Sequence, residues 1–222
     1  MNLWIKICGN TSLDDARMAV EAGADAVGFV FAASPRRVTA EQVAAIIARL
    51  PPGIEKIGVF VDAAFEEIEA TVLAGGLTGV QLHSLAGPEL TANLKQRFGA
   101  GFRVMRVVHF GADAAGQAEE IDRDPNVDAI LIDSRTATAV GGTGVAFDWD
   151  AARDSLFQNA DGRKPRVAAG GLGPANVAEA IATLRPWGVD VVSGVEAAPG
   201  RKDAAKVREF VAKARTVSRE LQ

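Results

Sequence analysis

The chain has 222 residues with 48% hydrophobic content, enough for one domain with a large core. Its formal net charge is −4, from 24 Lys and Arg against 28 Asp and Glu, which argues against nucleic acid or an anionic membrane as the main partner. One cysteine makes no internal disulfide, two histidines make a poor metal cluster, and no apolar run approaches the ~20 residues of a membrane span. No signal-peptide pattern opens the chain, so a cytoplasmic protein is expected.

Strand-like and helix-like segments alternate from end to end. Leu3–Gly9 alternates in the period of a strand, Leu3, Ile5 and Ile7 against Trp4 and Lys6, and stops at the turn cluster Gly9-Asn10-Thr11. Ser12 opens a helix over Leu13–Ala22. Asp25–Phe31 is an apolar strand, and Thr39 caps a helix through Leu50, with Glu41 in its first turn. Strands follow at Lys56–Val61, Gly79–His83, Phe102–His109, Asp128–Asp133, Arg166–Ala169 and Val189–Val192. Helices follow at Ala64–Ala74, Pro88–Phe98, Ala114–Asp122, Trp149–Phe157, Pro174–Leu184 and Asp203–Leu221, with Pro174 placed as a helix-starting proline. Three strand entries share one grammar, at Gly23-Ala24-Asp25, Asn126-Val127-Asp128 and Gly188-Val189-Asp190, which predicts helix ends in the left-handed conformation.

Eight βα units with near-continuous apolar strands predict a parallel sheet covered on both faces. The expected fold is α/β, a single (β/α)8 barrel over residues 1–222. A doubly wound open sheet is the alternative, but the Gly-x-Gly-x-x-Gly it favours after strand one is missing.

Chemistry in such a barrel sits at the C-terminal ends of the strands. Cys8 lies at the tip of strand one, where a thiol is either a nucleophile or base, or a small buried hydrophobe. Asp133 ends strand six, as a mouth carboxylate or an ordinary strand-end aspartate. Gly170 and Gly171 follow strand seven, and Ser193 and Gly194 follow strand eight, the usual pair of loops for a phosphate. The long loop after strand six carries Gly141-Gly142-Thr143-Gly144, with Gly142 and Gly144 as candidate lid residues. Arg36 or Arg37, leaving strand two, suits a carboxylate clamp or a solvated surface charge. His83 ends strand four, as a ligand group or a satisfied rim histidine.

In this order the words Lys6-Ile7-Cys8-Gly9, Ser34-Pro35-Arg36, Val80-Gln81-Leu82-His83, Leu131-Ile132-Asp133-Ser134, Ala169-Gly170-Gly171-Leu172 and Ser193-Gly194-Val195-Glu196 resemble the phosphoribosylanthranilate isomerase family of tryptophan biosynthesis. The resemblance implies an Amadori rearrangement of a phosphorylated sugar substrate by a monomer or homodimer. It implies Cys8 as general base and Asp133 as general acid. Arg36 would hold the substrate carboxylate with His83 near it, and Gly170, Gly171, Ser193 and Gly194 would bind its phosphate. It implies no cofactor and no metal, because the substrate nitrogen is its own electron sink. The chain departs from the family after strand four, reading His83-Ser84-Leu85-Ala86 in place of the usual His-Gly-Asp-Glu. The related histidine-pathway barrel isomerase uses aspartates at the ends of strands one and five, where this chain has Cys8 and His109. A non-catalytic sugar-phosphate-binding barrel is the other rival, and intact Cys8 and Asp133 argue against it.

Overall fold

The structure, a computed structural model, describes residues 3–83, 87–134, 149–157 and 163–221. Eight strands form a closed parallel barrel in chain order: β1 (Trp4–Ile7), β2 (Ala26–Val30), β3 (Glu55–Val61), β4 (Gly79–His83), β5 (Arg103–His109), β6 (Ala129–Asp133), β7 (Arg166–Ala169) and β8 (Gly188–Val191). The ring closes where β8 pairs with β1, Trp4 against Gly188 and Lys6 against Asp190. Helices α1 (Leu13–Glu21), α2 (Ala40–Ile47), α3 (Phe65–Gly75), α4 (Pro88–Phe98), α5 (Ala114–Asp122), α6 (Trp149–Ala152), α7 (Val177–Leu184) and α8 (Ala204–Glu220) return the chain between strands and close it. This is a (β/α)8 TIM barrel.

The period-2 alternation of each strand divides the core into two layers. Leu3, Ile5 and Ile7 point outward, into the apolar shell between sheet and helices, with Val27, Phe29 and Val80. Trp4, Ile57, Met105, Leu131 and Val167 fill the lower barrel. At the bottom Trp4 and Trp187 stack with ring centroids 5.2 Å apart, and Gly188 leaves the room that Trp4 needs. Above them the inward positions turn polar: Lys6, Gln81, Asp133 and Asp190 are all buried.

Caps fix several helix starts. Ser12 Oγ accepts from Asp15 N, and Thr39 and Gln42 form a reciprocal capping box. The left-handed turn expected at Gly23 is present, at φ +94°. It is absent at Asn126 and Gly188. Asn126 N and Nδ2 instead donate to Asp124 Oδ1, a side-chain turn, and α7 ends at Arg185, itself left-handed at φ +47°.

Three other boundaries differ from expectation. α7 starts at Val177, not Pro174, because Asn176 bridges the preceding turn: its Oδ1 accepts from Gly173 N and its Nδ2 donates to Gly171 O. The helix expected over Trp149–Phe157 widens into a π-helical turn at Arg153–Phe157, where Arg166 Nε takes the Leu156 carbonyl. After β8, a hairpin of β9 (Glu196–Ala198) and β10 (Arg201–Lys202) lies over the barrel rim, turning at Gly200.

Candidate active site

Cys8 follows the last residue of β1, and its N–H still donates to Val191 O, so it continues the barrel wall. It shares the inward face of Trp4 and Lys6. Asn10, fully buried, donates from Nδ2 to Ile7 O and Gly28 O and ties the exits of β1 and β2 together. Gly28 is where it must be: a Cβ there would lie 2.5 Å from Cys8 Sγ and 2.9 Å from Lys6 Cε. The empty side-chain position of β2 thus holds the sulfur and the lysine stem together.

Lys6 Nζ donates to Asp190 Oδ1 at 2.8 Å and to Gln81 Oε1 at 2.7 Å, spanning the barrel from β1 to β8 and β4. Burial alone would discharge it, but the charges of Asp190 and Cys8 outweigh that and hold the ammonium above its usual range. Burial pushes the Cys8 thiol up; Lys6 draws it back, Asp190 pushes it further, and Lys202 draws it back slightly. Because Gln81 Oε1 accepts from an ammonium, its Nε2 donates to His83 Nε2 at 2.9 Å, which makes that ring nitrogen an acceptor. His83 also lies against His109, centroids 5.8 Å apart.

Asp133, buried at the end of β6, is in register with Ala169 of β7. Gly170 is left-handed at φ +83°, and a Cβ on it would collide with Asp133 Oδ1 at 2.3 Å and Ser134 Oγ at 2.4 Å. Cys8, Gln81, His83, Asp133, Gly170 and Ser193 line one crevice at the C-terminal mouth. The structure therefore brings the two expected chemical groups to a single cavity.

The four expected phosphate residues divide. Gly170, Gly171 and Ser193 line the crevice, and a Cβ on Gly171 would meet nothing within 4 Å. Gly194 packs against the neighbouring loop: a Cβ there would lie 1.9 Å from Leu172 O. Its lack of a side chain serves that loop-on-loop contact.

Of the two rim arginines, Arg37 is exposed and Arg36 is half-buried. Arg36 crosses the exit of β1, where a Cβ on Gly9, at φ +73°, would be 2.8 Å from its Cδ. Its fork meets Glu196 of β9, Nε at 2.8 Å and Nη2 at 2.7 Å. Lys202 Nζ reaches the same carboxylate at 3.2 Å. Burial alone would raise Glu196, but Arg36 and Lys202 overcome it and hold the carboxyl below its usual range.

The candidate lid residues Gly142 and Gly144, and the departing loop Ser84-Leu85-Ala86, lie outside the described residues. Among the described residues no group of three His, Cys, Asp or Glu side chains could hold a metal ion, and no helix is long and apolar enough to cross a membrane.

Sequence reasoning missed Lys6, Gln81, Asp190, Glu196, Lys202 and Gly28 as parts of the site. For Lys6 the signal was present: residues two apart on a strand share a face, so Lys6 must lie beside Cys8. Glycine inside the apolar run of β2 was a second signal. The positions of Asp190 and Glu196 depend on ring closure and on a hairpin with no strong pattern.

A closed barrel with its ionisable groups gathered at the C-terminal mouth has the architecture of a (β/α)8-barrel enzyme. Residues 5–213 match the family model described as N-(5'-phosphoribosyl)anthranilate (PRA) isomerase. The N-(5'-phosphoribosyl)anthranilate isomerase of Pelobacter propionicus is 46% identical over 212 residues, covering 93% of each chain. The phosphoribosyl anthranilate isomerase of Thermus thermophilus superposes with a TM-score of 0.81 at 35% identity, covering 97% of this chain and all of that one. Another solved phosphoribosyl anthranilate isomerase, 34% identical with a TM-score of 0.77 over 96% of this chain and 99% of its own, is in complex with reduced 1-(o-carboxyphenylamino)-1-deoxyribulose 5-phosphate. The chain belongs to the N-(5'-phosphoribosyl)anthranilate isomerase family, and so to the isomerases of tryptophan biosynthesis.

Proposed function

We propose that this chain converts N-(5'-phosphoribosyl)anthranilate to 1-(2-carboxyphenylamino)-1-deoxyribulose 5-phosphate, with Cys8 as general base and Asp133 as general acid. The observation that carries the reading is the shared crevice of Cys8 and Asp133 in a chain of this family. Asp133 gives its proton to the ribose ring oxygen as the C1–O bond breaks, and the substrate nitrogen's lone pair forms the C1=N bond. The resulting iminium acidifies the C2 hydrogen. The Cys8 thiolate removes that proton, and the C2–H electrons flow toward nitrogen to give an enol-amine. Proton return to C1 and loss of the O2 proton give the ketose. Atoms balance with no net oxidation, and the nitrogen is the electron sink, so the chemistry calls on no cofactor.

Gly170, Gly171 and Ser193 suit the phosphate, with Gly194 supporting their loop, and Arg36 suits the anthranilate carboxylate. His83, an acceptor at Nε2, suits a polar substrate group near that carboxylate rather than serving as a second cation.

The test uses protein from a host lacking the activity and follows the loss of anthranilate fluorescence. Cys8→Ala and Asp133→Asn should each lower kcat by about 10²–10⁴-fold while product binding persists. Near-full activity in Cys8→Ala overturns the mechanism. Because burial pushes the Cys8 thiol up and a base must be deprotonated, kcat/KM should keep rising with pH above the ordinary thiol value of about 8.5. That limb should vanish in Cys8→Ala.

A further inference from the structure

A lysine with no exposed surface in a barrel interior is costly, because its charge is taken out of water. An apolar side chain above Trp4 would complete the packing, and replacing a buried ion pair by apolar groups is often neutral or stabilising. A purely structural reason for Lys6 is therefore weak. Its geometry suggests another. Two of its contacts, Asp190 Oδ1 and Gln81 Oε1, lie on opposite sides of the barrel and leave Nζ no freedom to turn away. The Cys8 sulfur is its neighbour: a Cβ on Gly28 would lie 2.5 Å from Sγ and 2.9 Å from Lys6 Cε. Gly28 contributes no side chain there, so Sγ and the lysine stem share the space it leaves.

We propose that Lys6 is the positioning residue of the reaction: its ammonium, fixed by Asp190 and Gln81, is the counter-charge against which the Cys8 sulfur becomes a thiolate. The proposal rests on Cys8 being the base. Asp190 then has two opposed effects, keeping Lys6 charged and in place while its own negative charge works against a second anion beside it. The crevice is thus poised, with one ammonium between the Asp190 carboxyl and the Cys8 sulfur.

Other charged groups face Cys8 from neighbouring elements. Lys202 of β10 favours the thiolate, but Glu196 already neutralises much of its charge. Arg36 lies over Gly9 and is likewise paired to Glu196. Asp133 of β6 and His83 of β4 share the crevice, and His109 lies behind His83. Lys6 is the only one of these cations whose hydrogen bonds, in the described residues, lie wholly inside the barrel.

The chain suits a direct measurement. It has one cysteine and no tyrosine, so a rise in thiolate ultraviolet absorbance with pH reports Cys8 alone, without substrate. Lys6→Met should move the titration midpoint up by about 1–3 pH units, the effect of losing an opposite charge at close range. Asp190→Asn should move it down. Opposite signs are the signature, because loss of a merely structural tie would disturb both variants alike. An unchanged midpoint in Lys6→Met, or the same direction in both, overturns the proposal. If Lys6→Met fails to fold around an unpaired Asp190, Lys6→Met/Asp190→Asn removes both charges. Its midpoint should lie above that of Asp190→Asn alone, since those two proteins differ only in the Lys6 charge, and equal midpoints overturn the proposal. The alkaline limb of kcat/KM should follow the same order. Thiolate titration is independent of turnover, so failure of the Lys6 assignment is distinguishable from failure of the Cys8 assignment, which Cys8→Ala decides.

Discussion

The two ends of the barrel interior solve the same packing problem with opposite materials. At the bottom, Trp4 stacks on Trp187 and apolar side chains from β3, β5, β6 and β7 fill the space. Two residues higher on β1, Lys6 occupies the equivalent inward position and is held by an ion pair to Asp190 and a hydrogen bond to Gln81. The lower layer stabilises through area removed from water and tolerates no void. The upper layer gives up that stabilisation to keep ionisable groups dry and fixed. β1 and the residue that follows it therefore carry both a packing residue, Trp4, and the proposed base, Cys8, four positions apart in sequence.

The sharpest way to break the contrast is Trp4→Ala. It should cost about 3–5 kcal/mol of stability, read by denaturant unfolding, while the remaining folded protein keeps its kcat. A large kcat loss without a stability loss would mean that the bottom layer acts on the site. Gly28→Ala is the counterpart at the top. Its methyl would displace Cys8 Sγ or Lys6 Cε, and kcat should fall by about 10²-fold from misplacement of the proposed base, with a smaller effect on the unfolding midpoint. Rates near wild type would show that the sulfur has room to move.

The rim allows a finer comparison, since Arg36–Glu196 is a second cation–carboxylate pair but a partly exposed one. Arg36→Met should raise KM by about 10–100-fold, the value of hydrogen bonds to a charged group. An analogue lacking the carboxylate should be nearly unaffected, and equal losses would make Arg36 structural. Glu196→Gln should have the smallest effect and the clearest pH signature. Arg36 and Lys202 hold Glu196 below its ordinary range despite burial, so its contribution to stability is present above the unfolded carboxyl value of about 4.3 and lost as pH falls through the folded value. Wild type and variant should differ in unfolding midpoint at neutral pH and converge in acid. A constant difference would remove the ion pair from the account.

Much of this was legible in the sequence because local chemistry and tertiary role agree. Pro88 at a helix start, the apolar run into Asp133 and the glycine pair after Ala169 each announce one element boundary. The strand tips then locate Cys8, Asp133 and His83 at the mouth by topology alone. The illegible part is what depends on closure. Spacing puts Lys6 on the face of Cys8, but that face reads as solvent-exposed until the strand is known to be a barrel stave. Asp190 reads as a strand-entry residue until β8 is known to pair with β1. The β9–β10 hairpin is two short runs, Glu196–Ala198 and Arg201–Lys202, with no hydrophobic alternation. Its order comes from tertiary bonds, such as Thr11 Oγ1 to Gly200 O and Lys202 N to Asp15 Oδ1.

The pairing of the first strand with the last also sets a timetable. A chain made from its N-terminus has Cys8 and Lys6 long before it gains Asp190. Until β8 arrives, the ammonium has no fixed partner there, and the sulfur behaves as an ordinary thiol in water. The pairing joins residues 184 apart in sequence, a non-local contact of the kind that slows folding. The buried setting of the cysteine therefore depends on ring closure, so a chain that stops before β8 carries the thiol without its fixed counter-charge.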